Sequence, residues 1–103
     1  MIIYNITIKV EWTIAEDWEK WMIETHIPEV LETGCFDKHQ LVRLLQVDET
    51  DGPTYAAQYY STALTKYDQY LQHYAPALRQ KTIEKWGEKF IAFRSLMQVE
   101  EGF

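Results

Sequence analysis

The sequence predicts a single α+β domain in which a four-stranded antiparallel sheet carries two helices on one face. Three observations lead to this fold class. Some segments alternate apolar and polar residues, as strands do; others repeat apolar residues every three or four positions, as helices do; and the two kinds follow one another in the order β-α-β-β-α-β. A chain of 103 residues has the length of one domain, so we assign residues 1–103 to it.

The first strand is predicted over residues 2–10, IIYNITIKV, where one face is wholly apolar and the other is mixed. A helix is predicted to follow over residues 14–32. Thr13 is expected to cap this helix, with Glu16 closing a capping box three positions on, and Gly34 is expected to follow its end.

The buried face of this helix is predicted from large residues that recur every four positions. They form a stripe that includes one histidine: Trp18, Met22, His26 and Val30. Pro28 lies inside the segment, lacks a backbone N–H and disfavours α geometry at Ile27, so we expect a kink or a restart there. The histidine is therefore expected to point inward beside an irregular turn.

The remaining strands are predicted from alternation and from turn residues. The second strand lies around residues 39–47 and the third over residues 54–61, and the turn DETDGP joins them into a β-hairpin. The fourth strand is FIAFRSLMQV, residues 90–99, which alternates in the same way.

A second helical pattern runs over residues 64–90. Pro76 interrupts it, so we expect the helix to break near Ala75 and to resume with Pro76 as its first residue. Gly87 is expected to end it.

This order of elements gives the ferredoxin-like arrangement, two split βαβ units with both helices on one face of the sheet. The other face stays bare in one subunit, and 15% of the residues are aromatic, which is much apolar surface for a small monomer to bury. We therefore expect two sheets to pack face to face in a homodimer, a dimeric α+β barrel with room for a pocket in each half.

Several segments carry a resemblance to known proteins. WEKWMIETHIPEVLETGCF, LVRLL, TYAAQYY, APALR and KFIAFRSL resemble a family of small bacterial proteins of unknown function, grouped with the dimeric α+β barrel proteins, over nearly the whole chain. The wider superfamily includes antibiotic-biosynthesis-type monooxygenases, EthD-like proteins, muconolactone-isomerase-like enzymes and haem-degrading or haem-dependent enzymes. Many EthD-like members have a helix-1 histidine closely followed by proline, similar to His26-Ile27-Pro28 here. The resemblance implies the fold, and an enzyme activity would rest on analogy.

The charge and composition of the chain limit the classes of molecule that it is expected to bind. The formal net charge is −6 and no cluster of Lys or Arg forms a basic stripe, which argues against nucleic-acid binding. The N-terminus has no basic leader and no run of about 18 apolar residues occurs, so we expect a soluble, cytoplasmic protein without a membrane span. The single cysteine, Cys35, cannot form an internal disulfide and is expected to be a small, partly buried residue.

His26 is the leading candidate for catalysis, because an inward imidazole can act as an acid or a base near neutral pH. The alternative is a core histidine that is hydrogen-bonded to a tyrosine hydroxyl or to the backbone. The carbonyl near Glu24, which Pro28 leaves without its helical donor, is one such backbone partner. Both interpretations stay open from the sequence.

The candidate ligand-binding residues are polar side chains embedded in apolar strand sequence. An arginine in such a place must find an anion, a carbonyl or solvent, and one functional interpretation is a clamp for a carboxylate or enolate. The alternatives are salt bridges to the sixteen acidic residues and, for the tyrosines, packing in the sheet. The predicted set is Asn5, Arg43, Gln58, Tyr60 and Arg94, with Tyr55 and Tyr59 as further tyrosines that could line a pocket.

No metal site and no cofactor are predicted. The three histidines lack metal-ligand spacing, and the chain has no CxxC, no CxxCH, no glycine-rich phosphate loop and no GxSxG. The sequence does not exclude haem binding, because one inward histidine suffices as an axial ligand.

Two candidate functions remain. One is a pocket for a compact anionic or aromatic ligand, with cofactor-independent isomerase- or monooxygenase-like chemistry at His26; the other is a non-catalytic structural or regulatory dimerisation module.

Overall fold

The computed structural model describes residues 1–102. Its elements are, in chain order, β1 Ile2–Val10, α1 Ala15–Trp21, a π-helical segment Met22–His26 (the π segment), α2 Ile27–Glu32, β2 Lys38–Arg43, β3 Thr54–Ser61, α3 Leu64–His73, α4 Ala75–Trp86 and β4 Phe90–Gln98. The strands form one sheet in the order β2-β3-β1-β4, and every neighbouring pair is antiparallel. The predicted ferredoxin-like α+β fold is confirmed.

The wholly apolar face of β1 packs against the helices. Tyr4, Ile8 and Val10 are buried in one core with Trp18 of α1 and Val30 of α2. Because successive residues of a strand point to opposite sides, the residues between them lie on the other side of the sheet, which carries no helix. We call that side the open face.

The first helix begins differently from its prediction. The Thr13 hydroxyl bonds the Glu11 carboxylate at 3.5 Å and caps no helix amide, so the predicted capping box with Glu16 is not formed. The reason is a turn in which the Ile14 N–H donates to the Glu11 carbonyl at 3.1 Å. This turn makes Ile14, and not Thr13, the residue that precedes the start of α1 at Ala15.

The predicted irregularity at Pro28 takes the form of the π segment. At its end the Ile27 N–H donates to the Met22 carbonyl, five residues back instead of four. Pro28 then falls in the first turn of α2, where the fixed φ of proline suits the start of a helix. The restart predicted from the proline is confirmed, and π turns of this kind are frequent at functional sites.

The second helix breaks where Pro76 predicts. α3 ends at His73, and α4 starts at Ala75 with Pro76 in its first turn. α4 ends at Trp86, and the following Gly87 has a φ of 60°, a conformation that favours glycine. No helix within residues 1–102 is long and apolar enough to cross a membrane.

The second strand is shorter than predicted, since it ends at Arg43 and not near Val47. The Leu44 N–H still donates to the Thr54 carbonyl at 2.9 Å, but Gln46 then has a φ of 59°. A positive φ is incompatible with an extended strand, so the chain leaves the sheet here although its sequence remains apolar.

Candidate functional site

A pocket lies between the helices and the side of the sheet that they cover. Its lining comes mainly from β1, β4, the π segment and α4, and its apolar members include Ile6, Ile8, Met22, Leu78 and Ala92. The volume of the cavity is about 50 Å³. Because a cavity needs about 10–15 Å³ to hold one water, the pocket has room for a few waters or a small group of atoms.

His26 lines this pocket from the last position of the π segment. Its ring stacks on the indole of Trp21, with 4.8 Å between ring centroids and 23° between planes. No described residue forms a hydrogen bond with the imidazole. The structure therefore does not show the alternative interpretation, in which the backbone or a tyrosine hydroxyl is hydrogen-bonded to a core histidine.

Burial governs the protonation of His26. It lowers the pKa of the imidazole from 6.5 to about 4, because the charged form loses its hydration. The negative charge of Glu29 raises this pKa, and the positive charge of Lys81 lowers it further. Glu29 of α2 and Lys81 of α4 also form a salt bridge with 2.7 Å between their charged atoms. The imidazole is therefore neutral at pH 7, with a lone pair to accept a proton.

Two arginines converge on one phenol at the same pocket. Arg79 of α4 donates from Nη2 to the Tyr4 hydroxyl oxygen at 3.0 Å, and Arg94 of β4 donates from Nε to the same oxygen at 3.2 Å. Among residues 1–102 neither guanidinium has a carboxylate within 4 Å; the ion pairs of that range are Arg43–Glu49, Lys66–Asp37 and Lys81–Glu29. Two positively charged guanidinium groups thus donate to one uncharged hydroxyl group, that of Tyr4.

Tyr59 contributes a buried hydroxyl to the same pocket. The residue is 2% exposed, and within the described part of the chain its hydroxyl has no hydrogen-bond partner. Burial raises the pKa of this phenol well above its ordinary value, with Tyr70 and Tyr4 adding to the effect. A protonated phenol without a partner costs about 1–3 kcal/mol of desolvation, and this cost is recovered when a ligand or water supplies the missing bond.

Three of the predicted ligand-binding residues lie instead on the open face. The Gln58 amide donates to the Asn5 side-chain oxygen at 3.1 Å, and the Gln40 amide donates to Gln58 at 2.7 Å. Gln40 also donates to the Tyr60 hydroxyl at 3.0 Å, which in turn donates to Gln58 at 3.1 Å. We call this row, Asn5–Gln58–Gln40–Tyr60, the amide ladder.

Arg43 lies neither at the pocket nor in the amide ladder. It lies at the end of β2, where two of its nitrogens donate to the Glu49 carboxylate at 2.9–3.2 Å and its guanidinium lies 5.8 Å from the Trp12 ring centroid. Of the predicted site residues, the structure therefore brings His26, Arg94 and Tyr59 together in the pocket. It also adds Arg79, for which the sequence offers no signal beyond its position next to the buried Leu78.

The described residues hold no group of three or more His, Cys, Asp or Glu side chains close enough to bind a metal ion. The polar side-chain groups of the residues that line the pocket are imidazole, guanidinium, hydroxyl, phenol and indole groups. Such groups can bind an anion, exchange a proton and hydrogen-bond a small organic molecule.

The sheet topology defines a small ferredoxin-like α+β domain, with a pocket between its helices and its sheet. The chain belongs to the DUF4286 family, a domain of unknown function whose model matches residues 1–100. This confirms the resemblance seen in the sequence. No curated protein is similar to the chain in sequence.

Several solved structures share the fold. SnoaB, a cofactor-independent oxygenase from Streptomyces nogalater, has a TM-score of 0.70 at 12% identity, with 98% of this chain and 95% of that chain covered. HapK from Hahella chejuensis has a TM-score of 0.70 at 12% identity, with 100% and 97% covered. An EthD family protein from Bacillus halodurans has a TM-score of 0.66 at 12% identity, with 92% and 97% covered. At this identity the likeness shows the fold alone.

Proposed function

We propose that this protein binds a compact anionic or aromatic molecule in the pocket between helices and sheet, and that His26 exchanges a proton with it without a cofactor. The observation that carries the proposal is the neutral imidazole, which lines the pocket without a described hydrogen-bond partner. The partnerless hydroxyl of Tyr59 supports it, because two polar groups at one pocket are then free for a ligand.

The chemistry assigned to His26 is that of a base. A neutral imidazole accepts a proton, but a pKa of about 4 makes the group a weak acceptor at pH 7. A negatively charged ligand beside the ring favours the imidazolium and raises this pKa toward the working pH. The base is thus strengthened by the anionic ligand that the proposal assigns to the pocket.

The structural likeness supports a reaction without a cofactor only at the level of the fold. SnoaB is described as a cofactor-independent oxygenase, and it shares the fold at 12% identity. A ferredoxin-like domain can therefore carry such chemistry, while the reaction of this chain rests on its own pocket residues.

A fragment screen tests the pocket. We expect ligand-observed NMR with small carboxylates, phenols and enolisable ketones to give hits, and Ala92→Phe, which fills the pocket from β4, to weaken them at least about tenfold. Ala77→Phe, on the exposed side of α4, is the matched control and should bind as wild type does. For an enolisable hit, exchange of its carbon-bound hydrogen for solvent deuterium should be faster with wild type than with His26→Phe. An empty screen, or hits indifferent to Ala92→Phe, would refute the proposal.

We further propose that the open face is where two copies of this chain meet. It exposes large apolar side chains, with Phe93 68% and Ile91 59% accessible, and it carries the amide ladder. Amide groups both donate and accept hydrogen bonds, so this face can pair with its own copy across a two-fold axis. We place the dimer in the cytoplasm, where the buried thiol of Cys35 would stay reduced.

The mass in solution tests the dimer. We expect light scattering to give twice the 12.3 kDa chain mass, and Phe93→Glu to give the monomer, because a charge buried between two sheets is strongly unfavourable. Ile83→Glu, at a similarly exposed position on α4, should leave the dimer intact. A wild-type mass of 12.3 kDa would contradict the interface.

A non-catalytic dimerisation module is the second candidate function. The observation that favours it is the open face itself, which offers both apolar contacts and the amide ladder for assembly, while the pocket has room for only a small group of atoms. A dimer together with an empty fragment screen would make this candidate the better one.

A further inference from the structure

We propose that Arg79, Arg94 and Tyr4 form a carboxylate-binding site at the pocket, and that the ligand is a small organic acid with a flat apolar body. This inference deepens the proposed function and rests on it, since the body of the ligand would occupy the pocket that His26 lines.

The geometry brings three hydrogen-bond donor groups together, because two guanidinium groups meet at the oxygen of a third donor, the Tyr4 hydroxyl. The two guanidinium groups come from different elements, α4 and β4, and both reach the Tyr4 hydroxyl oxygen, at 3.0 and 3.2 Å. That oxygen accepts two hydrogen bonds, and no described residue accepts the proton of the Tyr4 hydroxyl. A carboxylate has two oxygens and about four lone-pair directions, so it can accept from both guanidinium groups and from the phenol together.

The charges favour an anion over a neutral group. Residues 1–102 place no carboxylate within 4 Å of Arg79 or Arg94, although the chain has sixteen acidic residues and only ten basic ones. In contrast, the acidic side chains Glu49, Asp37 and Glu29 pair with other cations. Two positive charges that share a neutral phenol repel each other, and one bound carboxylate relieves this repulsion while it forms charge-assisted hydrogen bonds.

The surroundings decide which acid fits. Arg79 is half-buried and Arg94 is exposed, so the head group can reach them from solvent. Beside them the pocket is lined by aliphatic and aromatic side chains, among them Ile6, Ala57 and Phe90. A flat apolar body attached to the carboxylate would lie against these residues, whereas an inorganic anion would leave them uncovered. The small volume excludes a bulky body.

Benzoate is the probe that tests this site, with benzamide as its neutral isostere and inorganic phosphate as an anion without an apolar body. The dissociation constants are measured by ¹H–¹⁵N NMR titration at constant ionic strength. We expect wild type to bind benzoate at least tenfold more tightly than benzamide or phosphate. We expect Arg79→Gln and Arg94→Gln each to weaken benzoate at least tenfold and to leave benzamide unchanged. Arg43→Gln, which removes an arginine outside the pocket, should change none of these values.

Two further variants separate binding from folding. Arg94→Lys keeps the charge at an exposed position and should retain part of the benzoate affinity, while Tyr4→Phe keeps the buried ring and should weaken benzoate through the lost donor. Equal binding of benzoate and benzamide, phosphate binding as tight as benzoate, or benzoate binding unaffected by both glutamine variants would overturn the carboxylate site. So would absence of benzoate binding to wild type. In each case the proposed function still holds if the fragment screen finds ligands whose binding Ala92→Phe weakens. The proposed function is refuted only if that screen finds no such ligands.

Discussion

Replacing His26 by phenylalanine is expected to flatten the pH dependence of stability between about pH 6.5 and pH 4. The folded protein lowers the pKa of this imidazole from 6.5 to about 4, so the unfolded chain binds the proton more readily. Stability due to the neutral ring is therefore complete above pH 6.5 and is lost as the pH falls to 4. Each pKa unit corresponds to about 1.4 kcal/mol, so the loss at pH 4 amounts to about 3 kcal/mol, or about 12–24 °C in the midpoint.

The comparison is between wild type and His26→Phe, because the carboxylates titrate equally in both. Phenylalanine keeps an aromatic ring against Trp21 and removes only the titration. Thermal unfolding is measured at pH 7 and at pH 4 for both proteins. The midpoint of wild type should fall further between these two pH values than that of His26→Phe, by about the amount given above. His39→Gln, at an exposed position of β2, controls for histidine loss in general and should follow wild type. Parallel curves for wild type and His26→Phe would contradict the burial of a neutral imidazole.

Replacing Gly52 by alanine is expected to cost more than about 4 kcal/mol, in the range of the most disruptive single substitutions. A Cβ at this position would lie 1.7 Å from the Val10 carbonyl oxygen and 2.8 Å from its carbon. The backbone cannot move away cheaply, because the Val10 N–H donates to the Pro53 carbonyl at 3.1 Å and the Trp12 N–H to the Asp51 carbonyl at 3.3 Å. Since a domain of this kind is stable by only about 5–15 kcal/mol, most of its stability would be lost.

Urea unfolding followed by circular dichroism measures this cost. Gly34→Ala is the matched control: Gly34 also has a positive φ, 74°, but an added Cβ meets nothing within 4 Å. The control should lose only the backbone penalty of about 1–2 kcal/mol. Equal losses in the two variants would mean that the contact with Val10 is not what requires glycine.

Local patterns in the chain predicted most of the fold, and they failed where a distant contact overrode them. The alternation in β1 and the proline at position 76 led to elements that the structure contains. Thr13 had the right residue type for a cap, but the turn between Glu11 and Ile14 displaces it. That turn is held partly from outside the segment, because the Trp12 N–H bonds the Asp51 carbonyl, a contact that no local pattern reveals.

The candidate site was only partly predictable for the same reason. His26 could be assigned to the inward face because it lies in register with neighbours on its own helix. Arg79 could not, since a polar residue beside a buried leucine is typical of an exposed helix flank, and its partner Tyr4 lies 75 residues away in the chain. Asn5 and Gln58 were correctly seen as polar positions within strands, but their pattern does not tell which side of the sheet they face.

Residues a few positions apart are enough to predict the order of elements, the apolar face of β1, the interruption at Pro28 and the inward position of His26. That Arg79 and Arg94 share the hydroxyl of Tyr4, and that the amide ladder lies across the sheet from His26, becomes visible only once the chain is folded. This is because alternation along a strand separates two faces without distinguishing them. The helices make that distinction when they cover one face, and strand register then determines which distant side chains meet there.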